Sequence, residues 1–493
     1  MFNSKILKTI SLLLVFLGVV MIPSSAWSLY YKEYDDIYAI LLSSLITISS
    51  GFLLYIFTYI FKNKKQMYKK DLSSVDAFTI VTVGWLLSAV FSCLPYYLSS
   101  YNFTFIDSFF ESMSGLTTTG ATILGKDFIN IEQLSHGLLF WRSFTHFLGG
   151  MGIIVFSIAL LPLLGIGGVQ LFRAEVAGPT ADKITPRIKQ TAKLLWGIYV
   201  GFVLFQTLIY YFLGMTLFDS ICHSFGTMAT GGFSTHSESI KYFNSSAIEW
   251  TTIIFMFLAA TNFTLHYIFL SKGKFKYFKN EEFRLYFYIT IFMSLLVFSN
   301  LITNKLYSIN FETFRHSFFT VVSLLTTTGF STENFELWPD SSLAICFILL
   351  FVGGTAGSTT GGIKIIRSLL VFKYLYYELK RLLHPKGIYT LKIGGKIVDE
   401  NIIRNTLGFY LFYIFIFVFF AFLISLHDID LITSLTASAS AIGNIGPGLG
   451  DIGPYDNWSH FSPIIKLFAS ICMLLGRLEI YTVMVVVSRI LWK

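Results

Sequence analysis

Ten apolar stretches govern what this chain can fold into. They run near residues 7–23, 37–61, 77–98, 137–161, 191–214, 247–270, 285–303, 405–426 and 463–487, with an interrupted tenth over 342–383. Most approach or exceed the ~20 residues with which a helix crosses the hydrocarbon core of a bilayer. A soluble core cannot absorb so much apolar surface: 54% of residues are hydrophobic and only 13% charged, against roughly 25% charged in a soluble domain. The pattern predicts an all-α polytopic membrane protein and excludes an ordinary cytosolic one. The first stretch, with Lys5 and Lys8 ahead of a Leu-rich run and Ser24, Ser25 and Ala26 behind it, imitates a signal peptide, but its length favours a retained helix.

The positions of the charges give orientation. The net charge is +8, and with a cytosolic N-terminus the inward loops collect the basic runs Lys62–Lys70, Arg173–Lys193, Lys272–Arg284 and Lys364–Lys396. The outward loops carry only Lys32, Lys126, Lys241, Lys305 and Arg315. Both termini are then expected inside, in a cytoplasmic membrane, and the lipid bilayer is itself a partner. Cys93, Cys222, Cys346 and Cys472 lie far apart and form no metal-binding or redox motif.

A short signature recurs four times: Thr117-Thr118-Thr119-Gly120-Ala121, Thr230-Gly231-Gly232-Phe233-Ser234, Thr326-Thr327-Thr328-Gly329-Phe330, and Gly443-Asn444-Ile445-Gly446-Pro447. Each follows an apolar segment too short to cross, at 106–116, 217–228, 311–325 and 429–441, and each of these begins at or near an acid: Asp107, Asp219, Glu312 and Asp430. The acid suits the positive end of a helix dipole, so the carboxyl end points into the membrane. A polar turn at that depth is tolerated only along a watery path or inside protein. One such turn alone reads as an ordinary tight turn; four at the same place in each unit read as a ring of carbonyls suited to a dehydrated cation. The repeat divides the chain into two N-terminal helices (1–76) and four pore units over 77–190, 191–284, 285–400 and 401–493. Candidate filter residues are Thr118, Thr119 and Gly120; Thr230, Gly231 and Gly232; Thr327, Thr328 and Gly329; and Asn444, Ile445 and Gly446.

The interrupted stretch holds Gly353, Gly354, Gly357, Gly361 and Gly362 within ten residues. No stable helix tolerates that density, so an intramembrane loop lining the pore as a gate is expected. It is not a phosphate-binding loop, because Gly362-Ile363-Lys364 lacks the Gly-Lys-Ser/Thr ending. Arg477, in the middle of the last apolar stretch, carries a charge that costs at least ~2.5 kcal/mol there. Glu479, two residues on, lies on another helix face, so Arg477 is expected to face the pore as an electrostatic barrier, with a structural ion pair as the competing reading. Arg142 is expected to snorkel or brace the filter. Gly448 to Gly453 match G-x-G-x-x-G, but Pro454, Asp456 and Asn457 follow where a dinucleotide fold needs a helix. His136, His146, His223, His236 and His266 lack metal-like spacing and read as polar or interfacial residues.

These motifs resemble the Trk/Ktr/HKT superfamily of potassium transporters, most closely its TrkH-type bacterial uptake subunits. The resemblance rests on the four signatures, Trp141-Arg142-Ser143-Phe144 with Leu148 to Gly152, Gly353 to Gly362, Asn444 to Gly448, and Gly476-Arg477-Leu478-Glu479. It covers residue 77 to the C-terminus, and the two helices before it are similar to those that distinguish the TrkH type from shorter KtrB relatives. It implies a potassium filter at Gly120, Gly232, Gly329 and Gly446, with K+ at the carbonyls of Thr119, Gly120, Gly231, Gly232, Thr328, Gly329, Ile445 and Gly446. A serine at the first position accompanies sodium preference in some plant members, so four glycines favour potassium. It also implies a gating loop below the filter, Arg477 as barrier, a homodimer, and a separately encoded cytosolic ring of nucleotide-binding, TrkA-type subunits. The signatures lack the longer T-V-G-Y-G run of potassium channels, which leaves fewer carbonyl layers.

Potassium uptake through a four-loop filter is thus the expected function, with no enzymatic activity, no cofactor and no nucleic-acid partner. A sodium-permeable or ion-coupled symporter of the same fold is one alternative. A membrane-embedded transferase is another, but it needs clustered intramembrane acids and histidines that the spacing does not supply; a receptor-like bundle has no use for four glycine turns at membrane depth.

Overall fold

The structure, a computed structural model, describes residues 4–60, 74–125, 128–152, 188–387 and 389–491. Residues 153–161 of the fourth apolar stretch, Lys62–Lys70, and Arg173, Lys183 and Arg187 lie outside the described residues. The chain is built from helices: α1 (Ser4–Tyr30), α2 (Tyr34–Ile60), α3 (Ser74–Ser92), α4 (Phe105–Leu116), α5 (His136–Phe147), α6 (Ile188–Phe212), α7 (Leu217–Met228), α8 (Ser246–Ala259) and α9 (Phe263–Lys272). There follow α10 (Glu281–Thr303), α11 (Phe311–Leu325), α12 (Asp340–Leu349), α13 (Ile365–Leu383), α14 (Glu400–Ser425), α15 (Leu431–Gly443), α16 (Pro463–Arg477) and α17 (Tyr481–Leu491). A two-stranded hairpin, Lys392–Ile393 against Lys396–Ile397, sits between α13 and α14.

Among the described residues six helices are long and apolar enough to cross a membrane, or up to eight if two bent pairs each count as one span. Those eight answer to eight of the ten stretches; the others are 137–161, described only in part, and the interrupted 342–383. The two bent pairs correct the sequence reading, which took 247–270 and 463–487 as continuous. Ser246–Ala259 meets Phe263–Lys272 at 98°, and Pro463–Arg477 meets Tyr481–Ser488 at 110°. At the first break Asn262 caps the new helix by accepting the Thr264 N–H, and Phe263 N–H donates to the carbonyl of Gly357. At the second, Glu479 and Ile480 take left-handed φ values of 56° and 53°, which no helix can continue through. Arg477 therefore ends a helix instead of standing in the middle of one.

α1 and α2 lie along one another where small residues let backbones approach. A Cβ on Gly18 would meet Ile48 and the carbonyl of Ser44, and one on Gly51 would meet the backbone of Ser11 and Val15. Their connecting turn docks on the start of α5. Glu33 accepts the His136 N–H at 2.9 Å and pairs with His136 Nδ1 at 2.7 Å, while Tyr31 stacks on the imidazole at 3.5 Å.

Of the four short helices, α7 and α11 start where their sequences predict, α4 one residue earlier and α15 two residues later. Thr104, Thr216, Asn310 and Asp430 are N-caps whose side chains accept the N–H of Asp107, Asp219, Thr313 and Thr433. Ion pairs then tie one unit to the next. Arg315 on α11 meets Glu249 on α8 at 2.7 Å, and Lys466 on α16 meets Asp107 on α4 at 2.7 Å, joining the last unit to the first. Both pairs are largely buried, where breaking one partner is costly.

Candidate functional site

Each short helix runs into a turn of the same backbone form. The N–H of Thr119, Gly231, Thr328 and Ile445 donates to the carbonyl of Ser114, Gly226, Ser323 and Ser440, at 2.8–3.1 Å. The residue before each is left-handed: Thr118 (φ 53°), Thr230 (56°), Thr327 (53°) and Asn444 (54°). The residue after each is a left-handed glycine: Gly120 (79°), Gly232 (80°), Gly329 (81°) and Gly446 (103°). Left-handed threonines are rare, so three in equivalent places mark a conformation imposed by the surroundings.

The turns are also in contact with one another. A Cβ on Gly120 would run into the carbonyl oxygen of Gly231, one on Gly232 into that of Thr328, one on Gly329 into that of Ile445, and one on Gly446 into that of Thr119. The contacts return to their start, so the four turns close a ring in chain order. All four glycines border one cavity of about 240 Å³, shared with Arg142 and Asp456. The carboxyl ends of the short helices, with their partial negative charge, converge on this ring. All twelve residues expected at the filter are thereby brought together.

Behind the ring stand polar side chains, among them Glu111, which the sequence reading did not single out. Glu111 of α4, fully buried, accepts hydrogen bonds from Thr122 Oγ1 (2.8 Å), Ile123 N–H (3.1 Å) and Arg142 Nε (2.6 Å). Arg142 also donates to the carbonyl of Ser234 at 2.8 Å and lies 3.6 Å from the centre of the Phe233 ring. It thus braces two turns and does not snorkel. His223 plays the part of Glu111 in the second unit, with Nε2 2.9 Å from Ser234 Oγ. His146, His223 and His266 are buried, not interfacial. An acid inside a short apolar helix was the legible signal for Glu111; it is the same kind of signal that singled out Arg477.

The glycine-rich loop lies against this ring. Gly361 N–H donates to Thr327 Oγ1 at 2.8 Å, and Thr359 Oγ1 donates to the carbonyl of Met228 at 3.1 Å. Glu282 accepts the N–H groups of Ala356 (2.6 Å) and Ile366 (3.1 Å), and Thr355 N–H bonds the carbonyl of Ala260 at the α8–α9 break. The glycines serve close approach and turning: Gly353 packs against the carbonyl of Gly361, Gly354 against that of Ala260, Gly361 against that of Gly443, and Gly357 and Gly362 have φ of 76° and 62°. Asn444 faces the same region, its Nδ2 donating to Thr119 Oγ1 (3.0 Å) and the Met473 carbonyl (2.9 Å).

Arg477 joins the loop to the first unit. Its guanidinium donates to the carbonyl of Thr359 at 2.8 Å and to those of Gly149 and Gly150 at 2.6 and 3.0 Å. Glu479 turns to Arg367, whose guanidinium it meets at 2.5 Å, as its different direction from Arg477 requires. The loops after α11 and α15 meet at Glu336 and Asp456, both beside Gly453, which together with Asp456 lines the cavity. Burial, with the carboxylate of Asp456 close by, pushes the Glu336 carboxyl up to about 7.

Comparison with known proteins gives a consistent picture. The family model TrkH, described as cation transport protein, matches residues 47–492. The Trk system potassium uptake protein TrkH of Vibrio parahaemolyticus is 36% identical over 497 residues, covering 99% of both chains. That of Escherichia coli K12 is 40% identical over 436 residues, covering 87% of this chain and 88% of the other. The crystal structure of the potassium transporter TrkH from Vibrio parahaemolyticus superposes with a TM-score of 0.87 at 34% identity, over 100% of each chain.

Proposed function

The chain belongs to the TrkH family of cation transport proteins, and we propose that its potassium uptake runs through the ring of Gly120, Gly232, Gly329 and Gly446. It is a membrane transporter and not an enzyme, which sets aside the transferase reading. The observation that carries the filter assignment is the cyclic contact of four turns of one backbone form. In this reading the carbonyls of Thr119, Gly120, Gly231, Gly232, Thr328, Gly329, Ile445 and Gly446 replace water around K+, and the four helix ends favour its charge. Four glycines keep the ring free of side chains, as potassium selectivity requires.

The loop over 353–362 acts as the gate. Its bonds to Thr327, Met228 and Arg477 hold it closed beneath the filter, and their rupture opens the path. Arg477 contributes both a latch and a fixed positive charge beside the path. The cavity side of the ring faces outward and both termini lie in the cytosol, a reading supported by the basic inward run Lys364–Lys396. Uptake is then driven by the membrane potential, worth about 2.3 kcal/mol per charge at 100 mV. The relatives' names place them in a Trk system. We extend this to a homodimer on which a cytosolic ring of TrkA-type nucleotide-binding subunits docks.

The test is to replace each ring glycine by serine in a potassium-transport-deficient cell. A serine must adopt a left-handed φ and collide with the neighbouring carbonyl, so the rubidium-to-sodium uptake ratio falls. Ratios unchanged in all four variants, with protein inserted at the native level, reject the filter.

A further inference from the structure

The residue whose carbonyl meets the neighbouring ring glycine differs among the units: Thr119, Gly231, Thr328 and Ile445. In three of them it is anchored by its own side chain. Thr119 Oγ1 bonds Thr117 Oγ1 at 2.8 Å, Thr328 Oγ1 bonds Thr326 Oγ1 at 2.8 Å, and Ile445 is buried in a hydrophobic cluster with Leu350 and Ala439. Gly231 has no side chain, yet its backbone does not need glycine, because its φ lies outside the left-handed region. What excludes a side chain there is space. A Cβ on Gly231 would lie 2.5 Å from Nδ1 and 2.6 Å from Cε1 and Cγ of His146.

That imidazole comes from α5 of the first unit and is held rigidly. It stacks on Phe233 at 4.1 Å with 14° between the planes, and the Arg142 guanidinium sits 3.6 Å from the centre of the same ring. Two groups so close to one ring cannot share a face, so Phe233 lies between them. Arg142 is in turn fixed by Glu111 and Ser234. His146 is fully buried, and neither ring nitrogen has a hydrogen-bond partner among the described residues. Burying an unpaired polar group is costly, so its shape rather than its hydrogen bonding accounts for its place.

We propose that His146 is a positioning residue of the filter: its imidazole stands where Gly231 lacks a side chain and sets the position of the Gly231 carbonyl. The inference rests on the filter reading above. It makes Gly231 and His146 an exchangeable pair, in which the ring needs one filler, supplied from either side.

The experiment measures rubidium and sodium uptake per inserted molecule for Gly231→Thr, His146→Ala and the double variant, with Gly120→Ser alongside. Gly231→Thr forces a side chain into the imidazole, and His146→Ala leaves the carbonyl unsupported. Each single variant should lower the rubidium-to-sodium ratio at least about fivefold, equivalent to roughly 1 kcal/mol. The double variant puts a threonine before the ring glycine, as in the first and third units but with Ala229 where they have Thr117 and Thr326, and by its bulk should recover part of the native ratio. A double variant no better than Gly231→Thr, or a folded His146→Ala with the native ratio, overturns the proposal. Where a single variant fails to insert, the double decides: insertion with recovered selectivity supports the exchange, and failure like that of Gly231→Thr refutes it. If Gly120→Ser also leaves the ratio unchanged, the filter reading itself has failed, and not merely the role of His146.

Discussion

Replacing Arg477 by alanine tests the gate at the point where a single side chain spans it. The 2.8 Å bond of the guanidinium to the carbonyl of Thr359 ties the loop, while those to Gly149 and Gly150 anchor the arginine to the first unit. A hydrogen bond from a charged donor contributes about 1.5–3 kcal/mol. Its loss shifts the open-to-closed ratio of the loop by roughly 10–150-fold, since each 1.4 kcal/mol is tenfold. Removal of a positive charge beside the path acts in the same direction. The bonds of Thr355, Ala356 and Gly361 remain to keep the loop ordered. Rubidium uptake into proteoliposomes, per folded molecule, should therefore rise at least about tenfold. Arg477→Lys, which keeps the charge, should stay nearer the native rate. A folded alanine variant with native uptake refutes both latch and barrier. An alanine variant that fails to fold while the lysine variant folds makes the arginine a structural brace.

Other expectations follow from single contacts. Thr327→Val removes the acceptor of the Gly361 N–H while keeping the shape of the side chain; one neutral hydrogen bond of about 1 kcal/mol predicts a roughly fivefold rise in uptake, and Thr327→Ser should behave as the native protein in the same assay. Lys466→Met leaves the partly buried Asp107 without its cation and should cost about 1.5–3 kcal/mol, seen as a lower thermal transition in detergent, with Asp107→Asn in the same chain recovering part of it. Glu336, raised to about 7 from an ordinary 4.5, binds its proton more tightly in the folded protein than in the unfolded one. Its contribution therefore favours folding less as pH rises from about 4.5 through about 7, and Glu336→Gln should flatten the melting profile across that window; a profile as steep as the native one contradicts the assignment.

The short helices were legible because their signals are local. A capping side chain, an acid and an apolar run place 217–228 and 311–325 at the bounds observed. The fourth begins two residues later than expected, because Asp430 is the cap itself and not part of the first turn. The bends were not legible. Nothing in Ala259-Ala260-Thr261 resembles a helix breaker, and the bend there is bonded by Gly357, far along the chain. Likewise Leu478-Glu479-Ile480 is an unbroken helical pattern until φ is measured. Arg477 could be flagged as a charge in an apolar stretch, but its acceptors are backbone carbonyls, which leave no mark on composition. His146 is the extreme case: its significance depends on a glycine in another unit whose missing side chain it faces.

The ring closes within one covalent chain, through contacts that run from Gly446 back to Thr119 and from Lys466 back to Asp107. A ring assembled from four identical subunits receives every inherited change in four copies at once. Here a change enters once, at one quadrant, and the other three are untouched. The quadrants are already unequal, reading Thr-Gly, Gly-Gly, Thr-Gly and Ile-Gly at the same place. Such a ring can drift one quarter at a time, with each step small enough for the other quarters to sustain transport, and a partner substitution elsewhere can follow later. The inequality of the four turns is therefore what natural variation should be expected to leave in a single-chain ring, whereas a ring of identical subunits has no route by which its quadrants could come to differ.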